Sequence, residues 1–171
     1  HSINASIFKM VQWLADQQAV QQDTMQFLEM IGTFEIKTNE RHILSLTLSN
    51  YAYAYQHANG LTIMKSLTFN VQNGTLYELE DLFNSGSPYI DVLSNHITQQ
   101  IEERDIPVFE PFTTISPQQD FYIADKSLVL YFQPIELTPH YYGFPIFPIS
   151  VYDLQDIILE DGPLGIMATN D

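Results

Sequence analysis

The sequence predicts an α+β domain: a twisted antiparallel sheet with two main helices packed on it. Two observations carry the expectation. Apolar residues recur at three-to-four spacing at Ile3, Ile7, Met10, Val11 and Leu14, and again at Ile90, Leu93, Ile97 and Ile101, which is the period of an amphipathic helix. Around these segments lie β-rich stretches over 43–55, 61–71 and 121–132, joined by short turn signals of the kind that make hairpins. At 171 residues the chain suits one domain, and a chain of this size buries roughly 70% of its unfolded surface. No internal repeat or long linker divides it, so the domain is expected to span residues 1–171. An N-terminal helix region occupies 1–24 and a tail 162–171.

The elements follow in order. After the first helix, Gln17, Gln18, Gln21 and Gln22 read as its polar tail. Gly32 to Lys37 alternates like a strand, and Thr38-Asn39-Glu40 reads as a turn. In the next strand Leu44, Leu46 and Leu48 share one parity while Tyr51, Tyr53 and Tyr55 take the other. Odd and even positions of a strand face opposite ways, so either a bulge near Ser49-Asn50 flips the register or both faces are covered. Residues 56–60 break the pattern and 61–71 resume it. Gln72-Asn73-Gly74-Thr75 is the clearest hairpin signal, since Asn-Gly suits a turn with positive φ. A helical turn over 78–83 precedes the second helix, which Ser87-Pro88 opens as cap and first turn. Pro107, Pro111 and Pro117 make the next stretch irregular. A hairpin then turns at Asp125-Lys126, a short strand covers 144–149, and Val151, Leu154, Ile157 and Ile158 suggest a last short helix ended by Gly162-Pro163.

Charge narrows the partners. Six Lys+Arg stand against 21 Asp+Glu, a net charge of −15. Phosphate backbones require basic grooves, which excludes nucleic acid, and anionic membrane surfaces repel such a chain. A basic partner is drawn in by long-range steering, although solubility alone also accounts for the charge. The absence of cysteine removes disulfides, thiolate metal sites and thiol nucleophiles. No run reaches the apolar length of a membrane span. The start, His1-Ser2-Ile3-Asn4, carries no leader, so the chain is expected to be a piece of a longer polypeptide.

Catalytic signatures are missing. The histidines His1, His42, His57, His96 and His140 show no helix-face metal spacing, and only a pairing of His57 with His140 through the fold stays open. There is no phosphate loop, dinucleotide fingerprint or nucleophile elbow, so no cofactor or metal is expected. Glu78, Glu80 and Asp81 read as solvating and helix-terminus charges, Asp120 and Asp125 as turn residues. Tyr51, Tyr53 and Tyr55 line one sheet face, as core or as a sugar-stacking platform. The run Pro139-His140-Tyr141-Tyr142-Gly143 is the candidate binding surface, since tyrosine is amphipathic and cheap to immobilise.

Several motifs in a fixed order resemble a bacterial family: the extracytoplasmic domain at the C-terminal end of RsiV-type anti-sigma factors, also found before the catalytic domain of PdaC-type peptidoglycan deacetylases. The matching residues are Ile3-Asn4, the tyrosines 51–55, and Lys65-Ser66-Leu67-Thr68-Phe69-Asn70. Asn73-Gly74, Asp81-Leu82-Phe83 and the run from Asp120 through Gln133 follow, then Glu136, Pro139, Gly143 and Pro145. The family's glycine-rich loop is altered here to Gln56-His57-Ala58-Asn59-Gly60, with Asn59 where the family has histidine. The resemblance implies a non-catalytic extracytoplasmic domain that binds or senses a basic protein such as lysozyme, or a cell-wall glycan. The alternative it implies is an accessory domain of a polysaccharide deacetylase. The expected binding residues are Pro139, His140, Tyr141 and Tyr142, helped by His57 and Asn59.

Overall fold

In a computed structural model the chain runs α1 (Ser2–Gln22), β1 (Phe27–Glu40), β2 (Ile43–Ala54), β3 (Leu61–Asn70), α2 (Tyr89–Glu103), β4 (Phe121–Ala124), β5 (Ser127–Tyr131), β6 (Ile146–Ser150) and α3 (Pro163–Ala168). Residues 2–169 are described; His1, Asn170 and Asp171 lie outside the described residues. The α+β class holds, but the strands divide into two antiparallel sheets, ordered β1-β2-β3 and β4-β5-β6.

Each main helix serves one sheet. Ile3, Ile7, Met10 and Leu14 of α1 pack on Leu46, Leu48, Ile63, Leu67 and Phe69 of the first sheet. Val11, expected on the same face, is exposed. The glutamine tail is a correction. Gln18 is fully buried and donates from Nε2 to the carbonyls of Asn50 (3.0 Å) and Leu61 (2.9 Å). Gln22 donates to Gln18 Oε1 at 2.7 Å. Long amides can bury their stems while satisfying sheet carbonyls, which composition alone does not reveal.

The expected turn at 38–40 also moves. Thr38 is buried with its hydroxyl donating to the Ile123 carbonyl at 2.7 Å, which holds it in β1. The chain instead reverses at Arg41-His42, both at positive φ (52° and 66°), with Glu40 opposite Ile43. That is the backbone a two-residue hairpin needs. Of the two readings for β2, coverage of both faces is correct: its ladder with β3 runs unbroken from Ile43 to Ala52. The bulges lie in β1, near Leu28 and Lys37.

After β3, the Asn73-Gly74 turn forms, with Gly74 at φ 77°, but it leads to the single bridge Phe69–Leu76 rather than a long strand. Pro88 takes the cap position of α2 and the Ser87 hydroxyl caps nothing. The main core gathers Leu93 and Ile97 of α2 against Phe121, Ile123, Leu128, Leu130, Phe147 and Ile149 of the second sheet. Gly162-Pro163 does not end a helix; it starts one. Gly162 is the cap and Pro163 the first helical residue of α3, whose Leu164 and Met167 are fully buried. Proline lacks an amide hydrogen, so the first turn of a helix suits it.

Candidate functional site

The run after β5 is pinned at both ends. Leu137 and Thr138 are buried, and the Leu137 carbonyl accepts from Phe109 N at 3.2 Å. Pro139 then caps a 3₁₀ turn over His140–Tyr142, closed by Tyr142 N to Pro139 O (3.0 Å) and Gly143 N to His140 O (3.2 Å). Gly143 leaves the turn at φ 78°, a conformation that favours glycine. Beyond it, Pro145 is buried and its carbonyl accepts from Phe132 N at 3.2 Å. A short rigid turn thus presents two side chains to water: His140 is exposed and Tyr141 is 78% exposed. Tyr142 instead packs on the main core.

The other predicted residues lie on the loop joining β2 to β3. Gln56 turns the chain at φ 65° and His57 N donates to the Ala54 carbonyl at 3.2 Å. His57 is half-buried, whereas Ala58 and Asn59 are exposed. The Tyr51 ring lies directly over Gly60, where any Cβ would collide with it. Tyr51 is therefore committed to closing its own hairpin, and of the three tyrosines only Tyr55 is exposed. Among the described residues no hydrogen bond joins this loop to the 139–143 turn, and no group of three His, Asp or Glu could hold a metal ion.

The motif residues meet elsewhere. Lys65 Nζ reaches Asp120 Oδ1 at 2.5 Å beneath the Trp13 ring. Gln133 donates to Asp120 Oδ2 (3.0 Å) and to the Met64 carbonyl (2.5 Å), while its Oε1 accepts from Met64 N (3.1 Å). One side-chain amide thus pairs the β3 backbone as a strand would. Tyr131 donates to Ser66 Oγ at 2.9 Å, and Ser66 donates to the Phe121 carbonyl. Burial, with the Asp120 charge, pushes the Tyr131 phenol well above its ordinary value, so it stays a neutral donor. Glu136 Oε1 accepts from Gln133 N at 3.1 Å, and partial burial raises its carboxyl above the ordinary carboxylate value. These residues sew the two sheets together. The spacing of the motifs was legible; their structural role was not, because it depends on β3 meeting β4 and β5.

Sequence reasoning also missed a groove of about 520 Å³ that includes Leu137 and is lined by Phe109, Phe112, Phe132, Glu110 and Glu136. Its aromatic and acidic content sits next to the 139–143 turn. The proline spacing around it gave no sign of a concave surface.

A two-sheet α+β domain with an exposed, rigid tyrosine turn is the class that this geometry defines. A family model described as "Protein of unknown function (DUF3298)" matches residues 80–152, from the turn before α2 through β6. Over that stretch the chain matches the DUF3298 domain, and over most of its length it is a distant homologue of the anti-sigma-V factor RsiV of Bacillus subtilis (strain 168). The two are 28% identical over 173 residues, covering 93% of this chain and 59% of the relative. The chain thus spans under two thirds of that relative. The fold is similar to crystal structures of DUF3298 family proteins from Bacteroides fragilis NCTC 9343 and Pseudomonas aeruginosa PAO1. The former gives a TM-score of 0.67 at 13% identity, covering 91% of this chain and 64% of that one. The latter gives 0.62 at 13% identity, covering 76% and 62%. Among the described residues no helix is long and apolar enough to cross a membrane.

Proposed function

We propose that this chain is the extracytoplasmic recognition domain of an anti-sigma-type regulator, that it is not itself catalytic, and that it binds a basic cell-wall enzyme of the lysozyme kind. The observation that carries the reading is the 78% exposure of Tyr141 on a turn held rigid between Pro139 and Gly143. A large aromatic ring on a fixed backbone loses little entropy on binding, which is what an interface anchor requires. The homology to RsiV supports the regulatory setting. The charge of −15, with Glu110 and Glu136 lining the adjacent groove, supports a cationic partner. His140 and the exposed Asn59 extend the surface, with Pro139 shaping the turn. In this reading Tyr142 and His57, both partly buried, hold the loops in shape rather than meet the partner.

Surface plasmon resonance on immobilised lysozyme tests the reading. Tyr141→Ala should weaken the complex by about 1–3 kcal/mol, mostly through faster dissociation. Added salt should slow association. Absence of binding at low salt, or binding indifferent to Tyr141, would refute it.

A further inference from the structure

Two sheets have four edges, and a bare edge is a template for pairing with another chain. Three are covered. The β4 edge meets hydroxyls of the first sheet: Ile123 N donates to Ser45 Oγ (2.9 Å), and Thr38 Oγ1 donates to Ile123 O (2.7 Å) and accepts from Asp125 N (3.1 Å). The β3 edge is paired at Met64 by the Gln133 amide. On β6, Pro148 lacks a donor, its carbonyl accepts from Gln100 Nε2 (2.8 Å), and the Ile146 carbonyl accepts from Arg104 Nη1 (2.8 Å). Only β1 is open. Leu28 through Ile36 are all exposed, and among the described residues no hydrogen bond outside the β1–β2 ladder reaches their backbone. Its exposed apolar side chains gather mainly on one face, where Met30, Phe34 and Ile36 follow one another, while Ile31 stands on the other face among Glu29, Thr33 and Glu35.

We infer that β1 pairs antiparallel with β1 of a second copy, making a continuous six-stranded sheet with both α1 helices on one face. The register follows from the residues. Side chains opposite one another must share a face, so paired residue numbers sum to an even value. The regular run between the two bulges is Glu29–Ile36, which leaves two well-centred choices. Centring on Gly32 sets Glu29 opposite Glu35 of the other copy, twice, and like charges directly opposite destabilise. Centring on Thr33 sets Glu35 opposite Ile31 of the other copy instead, twice, and Met30 opposite Ile36, so no like charges of the regular run meet.

A second, independent observation selects the same register. Gly32 has no reason to be glycine within one copy, because an added Cβ would meet nothing closer than the Ser49 carbonyl at 3.9 Å and its φ is not positive. Beside it lies a largely apolar groove of about 210 Å³ lined by Val11, Leu14, Phe34 and Leu48. Pairing centred on Thr33 places Phe34 of the other copy opposite Gly32, on that face. An aromatic ring covering a cross-strand glycine is a known device for fixing register. The missing side chain is the room the incoming ring occupies.

Sedimentation equilibrium of the full chain, from about 1 to about 200 μM, tests the proposal. The expected result is a reversible dimer. Phe34→Lys and Gly32→Val should each weaken it at least tenfold while far-UV circular dichroism and melting of the monomer stay unchanged. A monomer throughout the range overturns the inference. So does a dimer indifferent to both Phe34 and Gly32, and a dimer that Phe34→Lys weakens but Gly32→Val does not overturns the register.

Discussion

The β4 and β1 edges show opposite ways to end a sheet. The β4 edge is driven into the face of the other sheet, out of water, where each unpaired amide costs the full desolvation of a polar group. Ser45, Thr38 and Ser66 supply the partners, and Ser45 also shares a 2.8 Å hydrogen bond with Thr68. The β1 edge faces water, which satisfies its amides without any side chain. It carries instead Met30, Ile31, Phe34 and Ile36 in the open. The difference teaches that hydroxyls in a strand mark where a sheet meets another surface in the same chain. Exposed apolar residues on an edge mark where it is free to meet a surface from outside.

Breaking the sealed side should have the largest effect. Asp120→Ala removes the partner of Lys65 and one acceptor of Gln133, and it strands a half-buried charge. We expect a loss of about 2–4 kcal/mol, read from urea denaturation. Ser45→Ala leaves the buried Ile123 amide without an acceptor and should cost about 1–3 kcal/mol in the same assay. On the open side the same measurement should barely move. Phe34→Lys and Gly32→Val should change the stability of one copy by less than about 0.5 kcal/mol, since neither site has buried contacts to lose. If Phe34→Lys cost as much as Ser45→Ala, the edge would not be open.

The smallest expected effect concerns pH. The folded Glu136 carboxyl holds its proton more tightly than the unfolded one, chiefly because it is partly buried. The stability it contributes is therefore whole below the unfolded value and lost as pH rises through the folded value. Glu136→Gln keeps an acceptor for Gln133 N and removes that loss. Its urea midpoint should rise relative to the parent as pH climbs above the ordinary carboxylate value, then level off once the folded carboxyl has ionised. An offset that is constant with pH would mean the carboxyl is not desolvated at the groove rim.

How much was legible differs from element to element. The spacing of Ile90, Leu93, Ile97 and Ile101 located α2 because one helix face meets one core, and the Asp125 turn was visible because few residues accept positive φ (54° here). The Pro139–Gly143 turn was readable from its prolines and tyrosines, yet only the fold separates the exposed Tyr141 from the packed Tyr142. The buried glutamines of α1 escaped because a polar residue signals water unless a carbonyl waits above it. Gly162-Pro163 was misread because the pair can either end a helix or begin one, and the buried surface for Leu164 decides which.

By itself, then, the sequence determined the local periods, the turns, the acidic surface and the ordered motifs, since these rest on backbone geometry and side-chain chemistry within a few residues. Tertiary structure decided what lies across the chain from each residue. It divided the strands into two sheets, assigned Ser45 and Thr38 to seal the β4 edge and Gln133 the β3 edge, and left β1 uncovered. Those outcomes depend on contacts such as Thr38 with Ile123, 85 positions apart, which no local pattern encodes.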